Sequence, residues 1–301
     1  MAMADVVPAA RRSASSLTLR IASGFVLVPV LLGIACLGGI PYATVIVGAS
    51  GVAAWEVRGM LRSGGYAPLD PVLLGIALLL PLDAFLRRGQ APEVVVAPDG
   101  VMLVTLAVLG GLVMVVLRGD ADHGMVDWAT SLALGLYLGG LMMFYEPLRE
   151  HVGPEHASGP FWVVALLLGS WFCDSCAYFV GRAYGRARLA PRISPSKSVE
   201  GAVAGLAGSA LASVLLGLIW DSWLAPVLGS SGPHGPLLMA GFGLAIGVAT
   251  ILGDLAESLV KRQTGVKDSG VLIPGHGGLL DRMDSLLFCG PVAFAYALQF
   301  A

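Results

Sequence analysis

Nine apolar runs divide this chain, most of them about twenty residues long, and few charges interrupt them. They lie near 21–39, 41–60, 70–86, 99–117, 129–147, 160–180, 200–220, 236–259 and 285–301. A helix needs about 20 mainly apolar residues to cross a bilayer, because lipid offers no partner to a backbone amide. Hydrophobic residues make up 56% of the 301 and charged residues 13%, against about 25% charged in a soluble domain. Too few polar groups remain to cover a water-facing surface. The expectation is an all-α, polytopic integral membrane protein with about nine transmembrane helices. The same composition excludes disorder, a disulfide scaffold and a coiled coil. The 41 glycines suit helices that approach closely in lipid. A formal net charge of -2 gives no electrostatic footprint for nucleic acid, so none is expected as a partner.

Arg11, Arg12 and Arg20 precede the first apolar run, as in a signal peptide. The run is long and no convincing small-residue cleavage site follows, so it reads as an uncleaved first span. With the N-terminus in the cytoplasm and nine alternating spans, 15 of the 18 Lys and Arg residues fall inside, the side on which basic residues accumulate. Only Arg87, Arg88 and Arg149 fall outside. Loops 181–199 and 260–284 then share the cytoplasmic side. The chain divides into an N-terminal region, 1–159, with spans one to five, and a C-terminal catalytic region, 160–301, with spans six to nine and those two loops. Glu56 interrupts the second run, either as an interface or paired residue or as a functional acid within the membrane.

Several polar features read as ordinary. Cys173 and Cys176 have CxxC spacing, but no second pair completes a zinc site, so with Cys36 and Cys289 they read as packing residues. Asp120, Asp122, His123 and Asp127 read as a solvated loop, and Glu150, His151, Glu155 and His156 as outward-facing polar residues.

Charge is scarce, so its clustering carries information. On a helix, Asp254, Ser258 and Lys261 fall at i, i+4 and i+7 and share a face, with Glu257 beside them. A carboxylate, a hydroxyl and an ammonium in a row suit a divalent cation with phosphate. Pro274-Gly275-His276-Gly277-Gly278 can bring backbone amides to an anion. Asp281 and Asp284 follow at the start of the last helix and share a face. Asp174 lies near the end of the sixth span, before Arg182, Arg186, Arg188 and Arg192; Lys197 precedes the seventh and Glu200 opens it. Positive-inside bias accounts for arginines there, but not for Asp174, Lys197 and Glu200 at span boundaries. Together these residues describe a cytoplasmic, metal-assisted site for phosphates at the bilayer surface.

The pattern Ser258-x-x-Lys261-Arg262-x4-Lys267-Asp268-x-Gly270, followed by Pro274-x-His276-Gly277-Gly278-x2-Asp281-Arg282-x-Asp284, resembles the signature of the phosphatidate cytidylyltransferases. Asp174-x2-Ala177-Tyr178-x2-Gly181-Arg182 and the stretch 194–201 resemble that family's upstream elements, in order. The likeness covers about 170–300; the first 150 residues match only as apolar spans. Two positions depart from it. Ser196 stands where the family usually has Lys, and Ser175-Cys176 follow Asp174 where Thr-Gly is usual.

The resemblance implies transfer of the cytidylyl group of CTP to phosphatidic acid, giving CDP-diacylglycerol and pyrophosphate for phospholipid biosynthesis. It implies Mg2+ or another divalent cation, with room for a second cation, and a homodimer in the inner (cytoplasmic) membrane with its site facing the cytoplasm. By the same resemblance Asp254 and Asp281 are the leading metal ligands, with Asp284 and Asp174 next. Lys197, Lys261, Arg262, Lys267, Arg282 and His276 are candidates for the triphosphate and the lipid phosphate. Gly277 and Gly278 let the backbone approach, and Ser258 orients a phosphate or the metal. The alternative is a membrane CTP-dependent lipid or polyprenol kinase, which moves the γ-phosphate and releases CDP. A transporter using intramembrane acids is a third reading, disfavoured by acids grouped at one membrane face.

Overall fold

The structure, a computed structural model, describes residues 28–88, 98–150, 158–224, 226, 235–270 and 277–300. Every apolar run becomes helical where it is described. The helices are α1 (Val28–Leu37), α2 (Gly39–Ser63), α3 (Asp70–Leu86), α4 (Pro98–Arg118), α5 (Gly124–Gly135), α6 (Tyr145–Glu150), α7 (Gly159–Tyr184), α8 (Val199–Ile219), α9 (Pro236–Thr264) and α10 (Leu280–Phe300). A π turn at Leu136–Gly140 continues α5 toward α6, so one span is built from three pieces. Seven described segments are long and apolar enough to cross a membrane. The 17-residue α3 and the described part of α1 are shorter than that criterion. Arg11, Arg12, Arg20 and residues 21–27 of the first run lie outside the described residues.

Helices α7, α8, α9 and α10 pack on one another, and α2, α3 and α5 form a second group that meets them through α2 and α6. The helix end far from the loops 185–198 and 265–279 is filled by aromatic rings. Trp162 stands edge-on to Phe242 at 5.1 Å, and Phe161 edge-on to Trp220 at 5.2 Å. All four are fully buried, and such pairs add to the packing gained from their area. The other end is built from small residues. At Gly205 of α8 a Cβ would stand 2.9 Å from the Cys173 carbonyl oxygen of α7, so only glycine permits that crossing. The four cysteines are free, and Cys173 and Cys289 are buried in the packing.

Both loops are shorter than the sequence implies, and the first is folded. α7 runs on to Tyr184, and residues 188–198 form a hairpin, with β1 (Arg188–Ala190) antiparallel to β2 (Ser194–Ser198) and Arg188 opposite Ser198. Glu200 holds its base, accepting from the amides of Arg186 at 3.0 Å and Ala187 at 3.1 Å. Ser198 Oγ caps α8 by accepting from Gly201 N at 3.1 Å. In the second loop, α9 continues past residue 259 to Thr264 and stops at left-handed Gly265, φ 71°. α10 begins at Leu280 rather than near 285.

Asp127 corrects the reading of 120–127 as wholly solvated. It is buried at the start of α5 and accepts from Ala67 N at 3.0 Å, tying down the connection between α2 and α3. Asp120 does form a surface turn, accepting from His123 N at 2.9 Å. Glu150 accepts from Gly39 N at 3.2 Å; His151, Glu155 and His156 lie outside the described residues.

Candidate active site

A cavity of about 850 Å³ opens at the end of the bundle where α7 and α9 finish and α8 and α10 begin. Among the described residues its walls carry four acids, Asp174, Asp254, Asp281 and Asp284, and four cations, Arg182, Arg188, Lys197 and Arg282. That volume lies in the range of small-molecule sites, roughly 300–1,000 Å³. An apolar membrane protein places eight charges around one space only where charge is used there.

Each element contributes by its direction. Asp174 and Asp254 each stand ten residues before the end of their helix, so they sit about 15 Å inside the helix ends at 1.5 Å per residue. The acids are therefore deeper than the boundary positions inferred from the sequence. Asp284 reaches Asp254 because α9 and α10 touch at Gly253, where a Cβ would stand 2.6 Å from the Asp284 carbonyl oxygen. The hairpin lies over the cavity: Lys197 on β2 ion-pairs with Asp254 Oδ2, while Ser258 Oγ donates weakly to Asp254 Oδ1 at 3.4 Å. The face predicted for Asp254 and Ser258 therefore exists.

Asp281 is placed differently from Asp254. Its Oδ1 accepts from Lys261 Nζ at 2.8 Å. Its Oδ2 accepts from Gly278 N at 2.9 Å and Ser269 N at 3.0 Å, with Ser269 Oγ at 2.9 Å. A carboxylate offers about four lone-pair sites, so Asp281 is nearly saturated by the protein. Lys261 stands between Asp281 and the buried Glu257, forming an ion pair with each. Arg262 donates from Nε to the Ile193 carbonyl at 3.1 Å and so fastens the hairpin turn to α9. Lys267 is exposed on the connection between α9 and α10. Gly277 takes φ 82°, a conformation that favours glycine, and turns the chain toward Gly278. His276 lies outside the described residues. Of the residues singled out from sequence, Asp174, Lys197, Asp254, Asp281, Arg282 and Asp284 line the cavity; Lys261, Arg262, Ser258 and Gly278 support it from behind.

Sequence reasoning left Arg182 and Arg188 as general positive-inside residues, yet both line the cavity. Arg182 also closes the motif Asp174-x2-Ala177-Tyr178-x2-Gly181-Arg182, whereas the only signal for Arg188 is its position within the cytoplasmic loop. At Ser196, where the resembling family usually has Lys, the nearby cation is Arg188, which donates to the Ser196 carbonyl at 3.5 Å. The sequence left Glu56 between a paired residue and a functional acid. It is buried and accepts from the amides of Leu279 and Leu280.

Among the described residues, no three His, Cys, Asp or Glu side chains form a ready metal cage. Mg2+ does not require one: it is commonly held by one or two carboxylates, several waters and substrate phosphates. Asp174, Asp254 and Asp284 on one cavity wall are hard oxygen donors of that kind, so the residues fit such a cation.

The chain matches the family described as "Cytidylyltransferase family" over residues 18–300, well beyond the 170–300 that the motifs alone cover. It is similar to the phosphatidate cytidylyltransferase of Synechocystis, 32% identical, with 93% of this chain and 96% of that protein aligned. The phosphatidate cytidylyltransferase of Brucella suis is 31% identical over 95% of each chain. That of Haemophilus influenzae is 42% identical over 49% of each.

Proposed function

The chain belongs to the cytidylyltransferase family, and on that premise we propose that its cavity transfers the cytidylyl group of CTP to phosphatidic acid, giving CDP-diacylglycerol and pyrophosphate. The observation that carries the reading is the cavity itself, with cations and acids interleaved at one end of membrane-spanning helices. A soluble triphosphate and a lipid head group meet only at such a place.

An oxygen of the lipid phosphate attacks the α-phosphorus of CTP. The new P–O bond forms as the α–β anhydride bond breaks, and the electron pair leaves with pyrophosphate. The second pKa of a phosphate monoester is about 6, so the nucleophile is largely ionised at neutral pH and needs no general base. The main barrier is repulsion between two polyanions. Lys197, Arg182, Arg188 and Arg282 stand around the cavity where phosphate charge must be offset. Asp254, with Asp284 or Asp174, would hold a Mg2+ ion together with substrate phosphates, and when bound that ion would neutralise phosphate oxygens and the leaving pyrophosphate. Asp281 and Lys261 fix the start of α10 and with it the direction of Arg282. Positioning and charge compensation supply most of the acceleration in such transfers.

The protein is read as sitting in the inner, cytoplasmic membrane with the cavity facing the cytoplasm, supported by the 15 basic residues assigned to that side. Family resemblance supports a homodimer, which cross-linking in native membranes will detect as a band of twice the 31.0 kDa chain mass.

The test is a product assay on purified protein in lipid nanodiscs with CTP and phosphatidic acid. CDP-diacylglycerol and pyrophosphate in equal amounts, dependent on Mg2+, support the reading. Release of CDP with a phosphorylated lipid assigns the protein instead to the CTP-dependent kinases.

A further inference from the structure

The segment carrying Asp281 and Arg282 is fixed from a distant part of the chain. Leu279 precedes the first turn of α10 and has no side-chain acceptor for the free amides there. Helices usually obtain that acceptor from Ser, Thr, Asp or Asn at this position. Here Glu56 of α2 supplies it from 223 residues away. Its Oε1 accepts from Leu279 N at 2.8 Å and its Oε2 from Leu280 N at 2.9 Å. An anion at a helix N-terminus also gains from the helix dipole.

The same carboxylate reaches the other side of the loop. Ser269 Oγ stands 3.1 Å from Glu56 Oε2 and 2.9 Å from Asp281 Oδ2, so one hydroxyl lies between two carboxylates. Between them, Glu56 and Asp281 accept from the amides of residues 269, 278, 279 and 280. The glycines of this region make room for the arrangement. A Cβ at Gly270 would stand 2.6 Å from Glu56 Oε1, and one at Gly278 would stand 2.6 Å from Oε2 and collide with Ser269 Oγ. Glu56 is 8% exposed, and a buried carboxylate is tolerated when such donors satisfy it.

We propose that Glu56 is a positioning residue for cytidylyl transfer: from α2 it caps α10 and sets the direction in which Arg282 and Asp284 enter the cavity. The inference rests on the reading of the cavity given above. It touches no substrate; it acts through the backbone of 278–280.

The experiment compares full-length wild type with Glu56→Ala, Glu56→Gln and Glu56→Asp in nanodiscs, reading kcat, KM for CTP, thermal stability and amide exchange. Misplacing reacting groups by about 1 Å costs on the order of 100-fold, so Glu56→Ala is expected to lose about that much in kcat, with KM for CTP little changed. Glu56→Gln keeps one acceptor oxygen and Glu56→Asp keeps the charge, so both fall between. Amides 278–281 exchange faster in the variants, while those of α7 and α8 keep wild-type protection. Unchanged kcat, or a fall in thermal stability with kcat intact, overturns the proposal, and so does unchanged exchange at Leu279 and Leu280. Should Glu56→Ala not fold, Glu56→Gln decides on the same readouts. If wild type itself makes no CDP-diacylglycerol, the functional reading fails, and the exchange comparison still judges the cap on its own.

Discussion

Acids gather twice at the same end of the bundle, and the two groups are satisfied in opposite ways. Around the cavity stand Asp174, Asp254 and Asp284, with Lys197 paired to one oxygen of Asp254. Behind them stand Glu56 and Glu257, with Asp281 at the cavity edge, and these three are engaged by Lys261, Ser269 and the amides of 278–280. A charge in a low-dielectric interior must be compensated. Where the protein supplies the compensation, the acid holds the fold. Where it leaves a solvent-reaching space instead, the proposed reaction would have a cation and phosphates supply it. Residue type alone does not separate the two groups, because aspartate occurs in both.

The sharpest way to break that contrast is to exchange one acid from each side. Asp254→Asn is expected to lower kcat on the order of 10²–10³-fold, the scale of losing one electrostatic group aimed at a transition state, and to raise the Mg2+ concentration needed for half-maximal rate. A Mg2+ titration of steady-state activity reads both effects. Asp281→Asn, next in size, loses about 10²-fold through misplacement of α10 but keeps the wild-type Mg2+ requirement. If its Mg2+ curve moves as far as that of Asp254→Asn, Asp281 holds the cation as Asp254 does.

Smaller changes sharpen the comparison at its edges. Arg262→Ala removes one bond to the hairpin turn at Ile193, and a bond worth about 0.5–1.5 kcal/mol corresponds to roughly a 2- to 10-fold rise in KM for CTP with kcat retained. Initial-rate kinetics over a CTP series will show whether kcat falls instead, which would return Arg262 to direct phosphate contact. Asp127→Ala is the distant control. It leaves Ala67 N unpaired and is expected to lower stability by about 1–3 kcal/mol, seen in thermal unfolding, with kcat per folded molecule unchanged.

Much of the frame is legible in the sequence. The membrane class and the course of each described helix follow from runs of apolar residues, since the cost of an unpaired backbone amide in lipid is a local property. The motif stretches 174–201 and 258–284 hold Asp174, Lys197, Asp281, Arg282 and Asp284, all of which line the cavity. Other features had no local signal. The strands 188–190 and 194–198 hold no β-branched residue, so the sequence reads as loop there. Asp127 sat in a polar stretch and differed from Asp120 only in which backbone lay across from it.

Sequence by itself determined that this chain spans a membrane and that its motif-bearing charged residues cluster in its C-terminal half. Hydropathy, charge and spacing are carried along the chain and need no partner to be read. Tertiary structure alone decided which acids face the cavity and which are consumed in holding it. That choice depends on contacts such as Glu56 with Leu279 and Leu280, across more than two hundred residues, and on whether a donor stands within about 3 Å of each oxygen.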